Sequence, residues 1–128
     1  MHREILLEPI ISSIRKGTQM SRFGVLSWLI DWDVLPLMHA GEHIATAVVK
    51  GNEIHFAAVQ GARPKGSCRG AVRAFLQPLL EQKTYLTTRV RFERSEQLKF
   101  VQRVGFKPTW KDQQFQYFLL GDLPFSRK

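Results

Sequence analysis

The stretch from Gly61 to Phe75 reads GARPKGSCRGAVRAF. It begins as a basic, glycine-containing loop and ends as a predicted helix. An extended run, Glu53–Val59, precedes it, so the loop follows the end of a strand. The start of a helix offers unpaired N–H groups and a partial positive charge, which suit an anion such as pyrophosphate. The alternative interpretation is an ordinary solvated turn in front of a core helix.

Extended runs precede this loop in an order that indicates the fold. Val34–Ala40, His43–Lys50 and Glu53–Val59 are separated by short loops that contain glycine, which favours an antiparallel meander. Pro36 cannot donate to a ladder, so the first run is predicted to be an edge strand or to contain a bulge. The meander therefore leads directly into the basic loop.

Helical and extended runs alternate after the loop. Apolar residues at helical spacing predict a helix over 67–82, which Pro78 should kink or restart. The run 84–92 has the strongest strand signal, because it is rich in β-branched and aromatic residues. Ser95 is predicted to cap a further short helix and Gly105 to end it. The final runs, FKPTW and QFQYFLL, predict a closing hairpin.

Two helices are predicted before the meander, and Ser21 is the predicted N-cap of the second. Their predicted apolar faces are Ile5, Leu6, Ile10, Ile11 and Ile14 in the first, and Phe23, Leu26, Leu29 and Ile30 in the second. The complete order predicts an α+β fold with one mixed central sheet flanked by helices. At 128 residues, we expect a single domain over residues 1–128.

The composition narrows the classes of partner. Hydrophobic residues make up 44% of the chain, enough for a packed core and against wholesale disorder. The formal net charge of +8 suggests contact with an anion: nucleic acid, a phosphorylated cofactor or a membrane surface. Many small proteins are basic without such a partner, and that interpretation stays open. Nucleic acid is the less favoured partner, because no recognition helix or stacking motif is evident.

Several kinds of site are not predicted. Cys68 is the single cysteine, which excludes an internal disulfide, and the four histidines lack the spacing of a metal site. His39 and His43 are separated by Ala40-Gly41, which indicates a turn.

No apolar run reaches about 18 residues, and the start of the chain is unlike a secretory signal. We therefore expect a cytoplasmic protein that does not engage membranes.

The loop and a later segment together resemble a known family. RPKGSC resembles the pyrophosphate-binding pattern of the GNAT N-acetyltransferases, with Arg63 and Gly66 in its first and fourth places and Cys68 where glycine or alanine is usual. SEQLKFVQRVGFKPTW is similar to the family's second signature, a helix that ends in a hydrophobic-Gly-Phe segment and leads into the last hairpin. A weaker likeness links the chain to small GNAT-like proteins of tailed phages.

The resemblance implies acetyl-CoA, as cosubstrate, between two parallel strands, here Glu53–Val59 and Tyr85–Arg91, with an amine as acyl acceptor. The pantetheine arm would pair with the main chain around Ala58 and Val59, and the main-chain amides from Arg63 to Cys68 would hold the pyrophosphate. The cofactor-binding residues that it implies are Ala58, Val59, Arg63, Lys65, Gly66, Ser67, Cys68 and Arg69.

Direct attack of an amine on a thioester needs a base for the ammonium and an acid for the thiolate. Strand alternation puts Glu53, His55 and Ala57 on one face, so Glu53 and His55 are the candidate bases. Each residue also has a purely structural interpretation: Glu53 as a charge at a hairpin turn, and His55 as a half-buried strand residue. The family's usual acid is a tyrosine four residues before the glycine of VGF, and Val101 stands there.

The sequence departs from the family pattern at two further places, and two hypotheses about function stay open. Arg94 replaces an asparagine that is common near this helix, and no strand is evident before the first helix. The leading hypothesis is a GNAT-like acyltransferase with an unknown amine acceptor. The alternative is a catalytically degenerate GNAT-fold phage protein with a structural or host-interaction role and a protein partner, located in the host cytoplasm or the virion.

Overall fold

The computed structural model describes residues 2–62 and 68–121, and its elements follow the predicted order. The helices within these residues are α1 (Arg3–Gly17), α2 (Arg22–Trp28), α3 (Arg69–Lys83) and α4 (Ser95–Val104). The strands are β1 (Asp33–His39), β2 (Glu42–Lys50), β3 (Glu53–Ala58), β4 (Leu86–Arg91), β5 (Lys107–Lys111) and β6 (Phe115–Leu120). They form a mixed sheet in the order β1-β2-β3-β4-β6-β5. The predicted α+β class with a mixed central sheet is confirmed.

Residue contacts divide the chain into two compact units, which are described separately. The first consists of Met1–Lys50 and His55–Cys68, and the second of Gly51–Ile54 and Arg69–Lys128. Strand β3 supplies residues to both units. The expectation of a single domain stays a prediction.

The first unit begins the sheet as the sequence predicts. β1 lies at the edge and pairs antiparallel with β2, and its register shifts between Leu37 and Met38. Pro36 pairs opposite Thr46 in this edge strand, so the prediction of an edge or a bulge is confirmed. Ala40 and Gly41 have φ values of 51° and 81° and form the predicted turn between the two strands.

The core of the first unit lies between its two helices and the sheet. α1 buries residues at helical spacing, and Val25 and Leu29 are buried in and just after α2. The buried cluster is Leu7, Ile10, Ile11, Val25, Leu29, Trp32, Val48 and Ala57. Ser21 accepts a hydrogen bond from Gly24 N–H at 3.0 Å, so its prediction as an N-cap is confirmed.

The predicted apolar faces of these helices are partly wrong. Phe23 is 80% exposed and Ile30 is 73% exposed, and Ile5 is exposed as well. Both helices carry apolar residues on more than one side, and α2 has only 7 residues, so spacing alone does not select the buried side. Packing selected Leu7 and Val25 instead, because they face the sheet and its neighbouring helix.

The second unit carries the rest of the sheet. β4 pairs in parallel with the start of β3 and antiparallel with β6, which in turn pairs with β5. Gly105 has a φ of 122° and ends α4, as predicted. The prediction for Ser95 is wrong: Arg94 is the N-cap, without a side-chain capping hydrogen bond, and Ser95 is the first helical residue. No helix among the described residues could cross a bilayer.

Candidate functional site

At the end of β3, the main-chain N–H and C=O groups of Ala58 and Val59 face opposite edges of the strand. Val59 donates its N–H to the Ile44 carbonyl of β2 at 2.9 Å, and its own carbonyl accepts from Ala62 N–H at 3.2 Å. Main-chain groups of successive strand residues point to opposite edges. The N–H and C=O of Ala58 are therefore directed to the edge of β3 that faces away from β2. The main chain of Val59, by contrast, is engaged within the first unit.

A tight turn follows this strand end. Gly61 has a φ of 83°, a left-handed conformation that glycine adopts without strain, and it turns the chain towards the basic loop. The predicted pyrophosphate ligands Arg63, Lys65, Gly66 and Ser67 lie outside the described residues. Cys68 is half-buried and Arg69 is the first residue of α3. The roles of these residues in cofactor binding stay predictions.

His55 lies against an aromatic side chain of the first unit. Its ring centroid is 5.7 Å from that of Trp32, with 52° between the ring planes. Trp32 belongs to the buried cluster, while His55 is half-buried. Arg3 donates to the carbonyls of Leu29 and Trp32, at 2.9 and 3.0 Å, and thereby secures the segment that carries the indole. The imidazole is thus positioned by packing, and its candidate role as a base stays a prediction.

Glu53 lies where β3 begins, in the second unit, and pairs in register with Thr87 of β4. Asn52 organises this point, because its side-chain amide donates to the carbonyls of Lys83 and Tyr85, at 3.1 and 2.8 Å. The carbonyl of Asn52 accepts from Thr87 N–H at 2.7 Å. Sequence reasoning did not select Asn52; an asparagine directly after a turn glycine is the signal that could have pointed to it.

Position 101, where the family resembled by the motifs usually has a tyrosine acid, lies in the core of the second unit. Val101 is buried, and its carbonyl accepts from the N–H groups of Gly105 and Phe106 at the end of α4. Tyr117 donates its hydroxyl to Asp112 Oδ2 at 3.1 Å. Tyr85 is exposed. The structure therefore assigns the Tyr117 phenol to a contact within the closing hairpin, and Val101 has no proton to give.

Within residues 2–62 and 68–121, no group of three histidine, cysteine, aspartate or glutamate side chains could hold a metal ion.

Comparison with solved structures identifies the fold. The chain is similar to the N-acetyltransferase PseH of Campylobacter jejuni in complex with acetyl coenzyme A, with a TM-score of 0.63 and 15% identity over 94% of this chain and 92% of that one. A GNAT-family acetyltransferase of Bacillus anthracis matches with a TM-score of 0.62 and 11% identity, over 90% and 83% of the two chains.

A third neighbour is YncA of Salmonella typhimurium, a putative acetyltransferase with its cofactor acetyl-CoA. It matches with a TM-score of 0.54 and 12% identity, over 81% of this chain and 75% of that one. No protein-family model and no curated protein matches the sequence. The chain therefore has the fold of the GNAT N-acetyltransferases, as its motifs predicted. The neighbours give no support to the alternative of a phage protein.

Proposed function

We propose that this protein transfers an acetyl group from acetyl-CoA to an amine acceptor. The proposal rests on the hydrogen bonding at the end of β3. The N–H of Val59 is engaged with Ile44 of β2, so strand alternation directs the main-chain groups of Ala58 away from β2. An extended amide-containing arm can pair with such an edge as an added strand does. Two of the structural neighbours contain acetyl-CoA, which supports this choice of cosubstrate.

The residues at this edge fit the arm of the cosubstrate chemically. Ala58 is exposed and has a small side chain, so a ligand can approach its main chain closely. Ala58 would hold the amide groups of the arm. The loop residues Arg63, Lys65 and Gly66 would hold the pyrophosphate, with charge from the first two and close main-chain approach at the third.

Acetyl-CoA supplies the acyl group as an activated thioester. An acceptor amine must lose a proton before it attacks, and His55 or Glu53 would accept that proton, directly or through water. An imidazole can accept a proton at one ring nitrogen while it donates from the other, which suits this role. Because Val101 stands in the usual place of the acid, the leaving thiolate would take its proton from water or from the acceptor.

Calorimetric titration with acetyl-CoA tests the proposal. We expect saturable binding, and at 100 times the Kd a stabilisation of about 2.7 kcal/mol. The double variant Arg63→Ala with Gly66→Asp should lose binding, because it removes a cation and adds a carboxylate where the pyrophosphate would lie. Arg103→Glu, which changes the net charge by the same −2 on the exposed surface of α4, is the matched control.

Two results would reject the proposal. One is the absence of saturable binding to the unmodified protein. The other is an unchanged affinity in the double variant, which would reject the placement of the cosubstrate. Release of free thiol in the presence of amines then separates an active transferase from a fold that binds acetyl-CoA without turnover.

A further inference from the structure

One face of the second unit combines aromatic and arginine side chains, of which Arg89 and Trp110 are exposed and the others are half-buried. Trp110 is 58% exposed, and its ring stacks on that of Tyr117 with centroids 4.2 Å apart and 3° between the planes. Phe115 lies next to Tyr117, with ring centroids 6.3 Å apart. Arg89 and Arg91 of β4 complete the group. We call these five residues, Arg89, Arg91, Trp110, Phe115 and Tyr117, the arginine–aromatic face.

Strand register brings these side chains together. Arg91 pairs with Phe115 and Arg89 with Tyr117 across the antiparallel β4–β6 ladder. Both guanidinium groups lie over the Phe115 ring, 4.8 and 5.3 Å from its centroid. A guanidinium that is stacked on a ring keeps the N–H donors along its edge available for a phosphate. The arginine–aromatic face therefore presents flat aromatic rings and guanidinium groups side by side.

The packing of the fold does not need this face. The alternate residues of the same strands form the core, where Thr88, Val90, Phe118 and Leu120 are buried. The side chains of the arginine–aromatic face point the other way, and their contiguous group of three aromatic rings indicates an interaction surface. The core of the second unit is complete without Trp110.

Charge in this region favours an anionic partner. Residues 86–120 contain seven lysines and arginines against three acidic residues, a difference of +4. Two of the acidic groups near the face are already engaged. Glu93 pairs with Arg91 at 3.7 Å, and Asp112 accepts from the N–H groups of Gln114 and Phe115 at 2.8 and 2.7 Å. The partly exposed ion pair between Glu93 and Arg91 is weak, so Arg91 can exchange it for a phosphate.

We propose that the arginine–aromatic face binds single-stranded nucleic acid, independently of acyl transfer. Bases stack on exposed aromatic rings whatever their sequence, while arginines neutralise the phosphates between them. The side of the indole away from Tyr117 offers a stacking platform, and the guanidiniums over Phe115 provide the cations. A duplex hides the faces of its bases, so the aromatic part of the surface favours a single strand.

Fluorescence anisotropy with a labelled thymidine oligonucleotide of 12 residues tests the proposal. Trp110→Ala should weaken binding roughly 5- to 150-fold, which corresponds to the usual contribution of one stacked base. Replacing both Arg89 and Arg91 by alanine should reduce the slope of log affinity against log salt by about 1.4, since each phosphate contact on a single strand contributes about 0.7. An unlabelled duplex of the same length should compete poorly.

Arg103→Ala is the matched control, because it removes an exposed charge from α4 and not from the sheet. Three outcomes overturn the proposal. In the first, Trp110→Ala binds the oligonucleotide as tightly as the unmodified protein. In the second, Arg103→Ala loses as much affinity per charge as the variant that lacks the two β4 arginines. In the third, sedimentation shows a dimer that Trp110→Ala dissociates and that the oligonucleotide leaves intact, so that a second copy covers the face. Acetyl-CoA is absent throughout, so failure here is separate from failure of the proposed transferase.

Discussion

Thr46 donates its hydroxyl to the main-chain carbonyl of Leu6 at 2.5 Å and so ties β2 to α1 across 40 residues of sequence. The hydroxyl carries a single hydrogen, which this bond uses, so His43 Nε2 at 2.9 Å must be the donor to the same oxygen. Thr46 is 0% exposed, and a buried polar group of this kind is stable only with its partners in place.

Thr46→Val should destabilise the protein by about 1–3 kcal/mol, because it keeps the shape and removes the buried hydroxyl that joins two half-buried groups, the Leu6 carbonyl and the His43 ring. Thr109→Val is the matched control, since the Thr109 hydroxyl donates to Tyr117 O at 3.2 Å at an exposed position. The control should change stability by less than about 0.5 kcal/mol. Equal effects of the two variants on urea unfolding would contradict the role given to Thr46.

Loss of a base at His55 or Glu53 should lower kcat without weakening acetyl-CoA binding. His55→Gln and Glu53→Gln each remove a proton acceptor and keep a polar side chain. The variant that lacks the true base should lose about 100-fold or more in kcat, and the other should remain within a few-fold. Acetyl-CoA affinity and thermal midpoint are measured in parallel, so that misfolding is not mistaken for loss of a base. If both variants keep full turnover, neither residue is the base.

A tyrosine at position 101 should not restore an acid. Val101 is buried in α4, so Val101→Tyr inserts a phenol into a packed core and should cost about 1–3 kcal/mol of stability. Val101→Phe adds nearly the same volume without a hydroxyl and is the matched control. We expect equal turnover in the two variants. Faster turnover with tyrosine than with phenylalanine would show that the phenol reaches the reacting groups.

The closing hairpin should lose stability in acid through Asp112. Hydrogen bonds from the N–H groups of Gln114 and Phe115 hold the pKa of this carboxyl below its ordinary value, with the Tyr117 hydroxyl adding to the effect. A carboxyl with a lowered pKa in the folded state stabilises the fold above its unfolded pKa of about 3.9, and the contribution is lost as the pH falls through the folded value.

The pH dependence can be measured as a difference in thermal midpoint. Between pH 6 and pH 3, the gap between the unmodified protein and Asp112→Ala should shrink. Gln113→Ala, an exposed change in the same turn without a titrating group, should give a constant gap. A gap for Asp112→Ala that is independent of pH would refute the role of the carboxylate.

Predictions from the sequence succeeded where the signal is local. Short glycine loops between β-branched runs specify an antiparallel meander whatever surrounds them, and Gly105 ends α4 because few other residues adopt its φ of 122°. The fold followed from the order of these elements. The loop motif pointed to the same family, although the residues that carry most of it, Arg63 to Ser67, lie outside the described part of the chain.

The amino-acid sequence by itself therefore determined the type and order of the elements, since turn chemistry and side-chain period act over a few residues. Only the tertiary structure decided that Phe23 is exposed while Val25 is buried, and that the main-chain N–H of Val59 is engaged with Ile44 of β2. It also decided that Arg89 and Arg91 lie over Phe115. These relationships depend on strand register and helix packing, which join residues far apart in the chain and are selected by the fit of the whole unit.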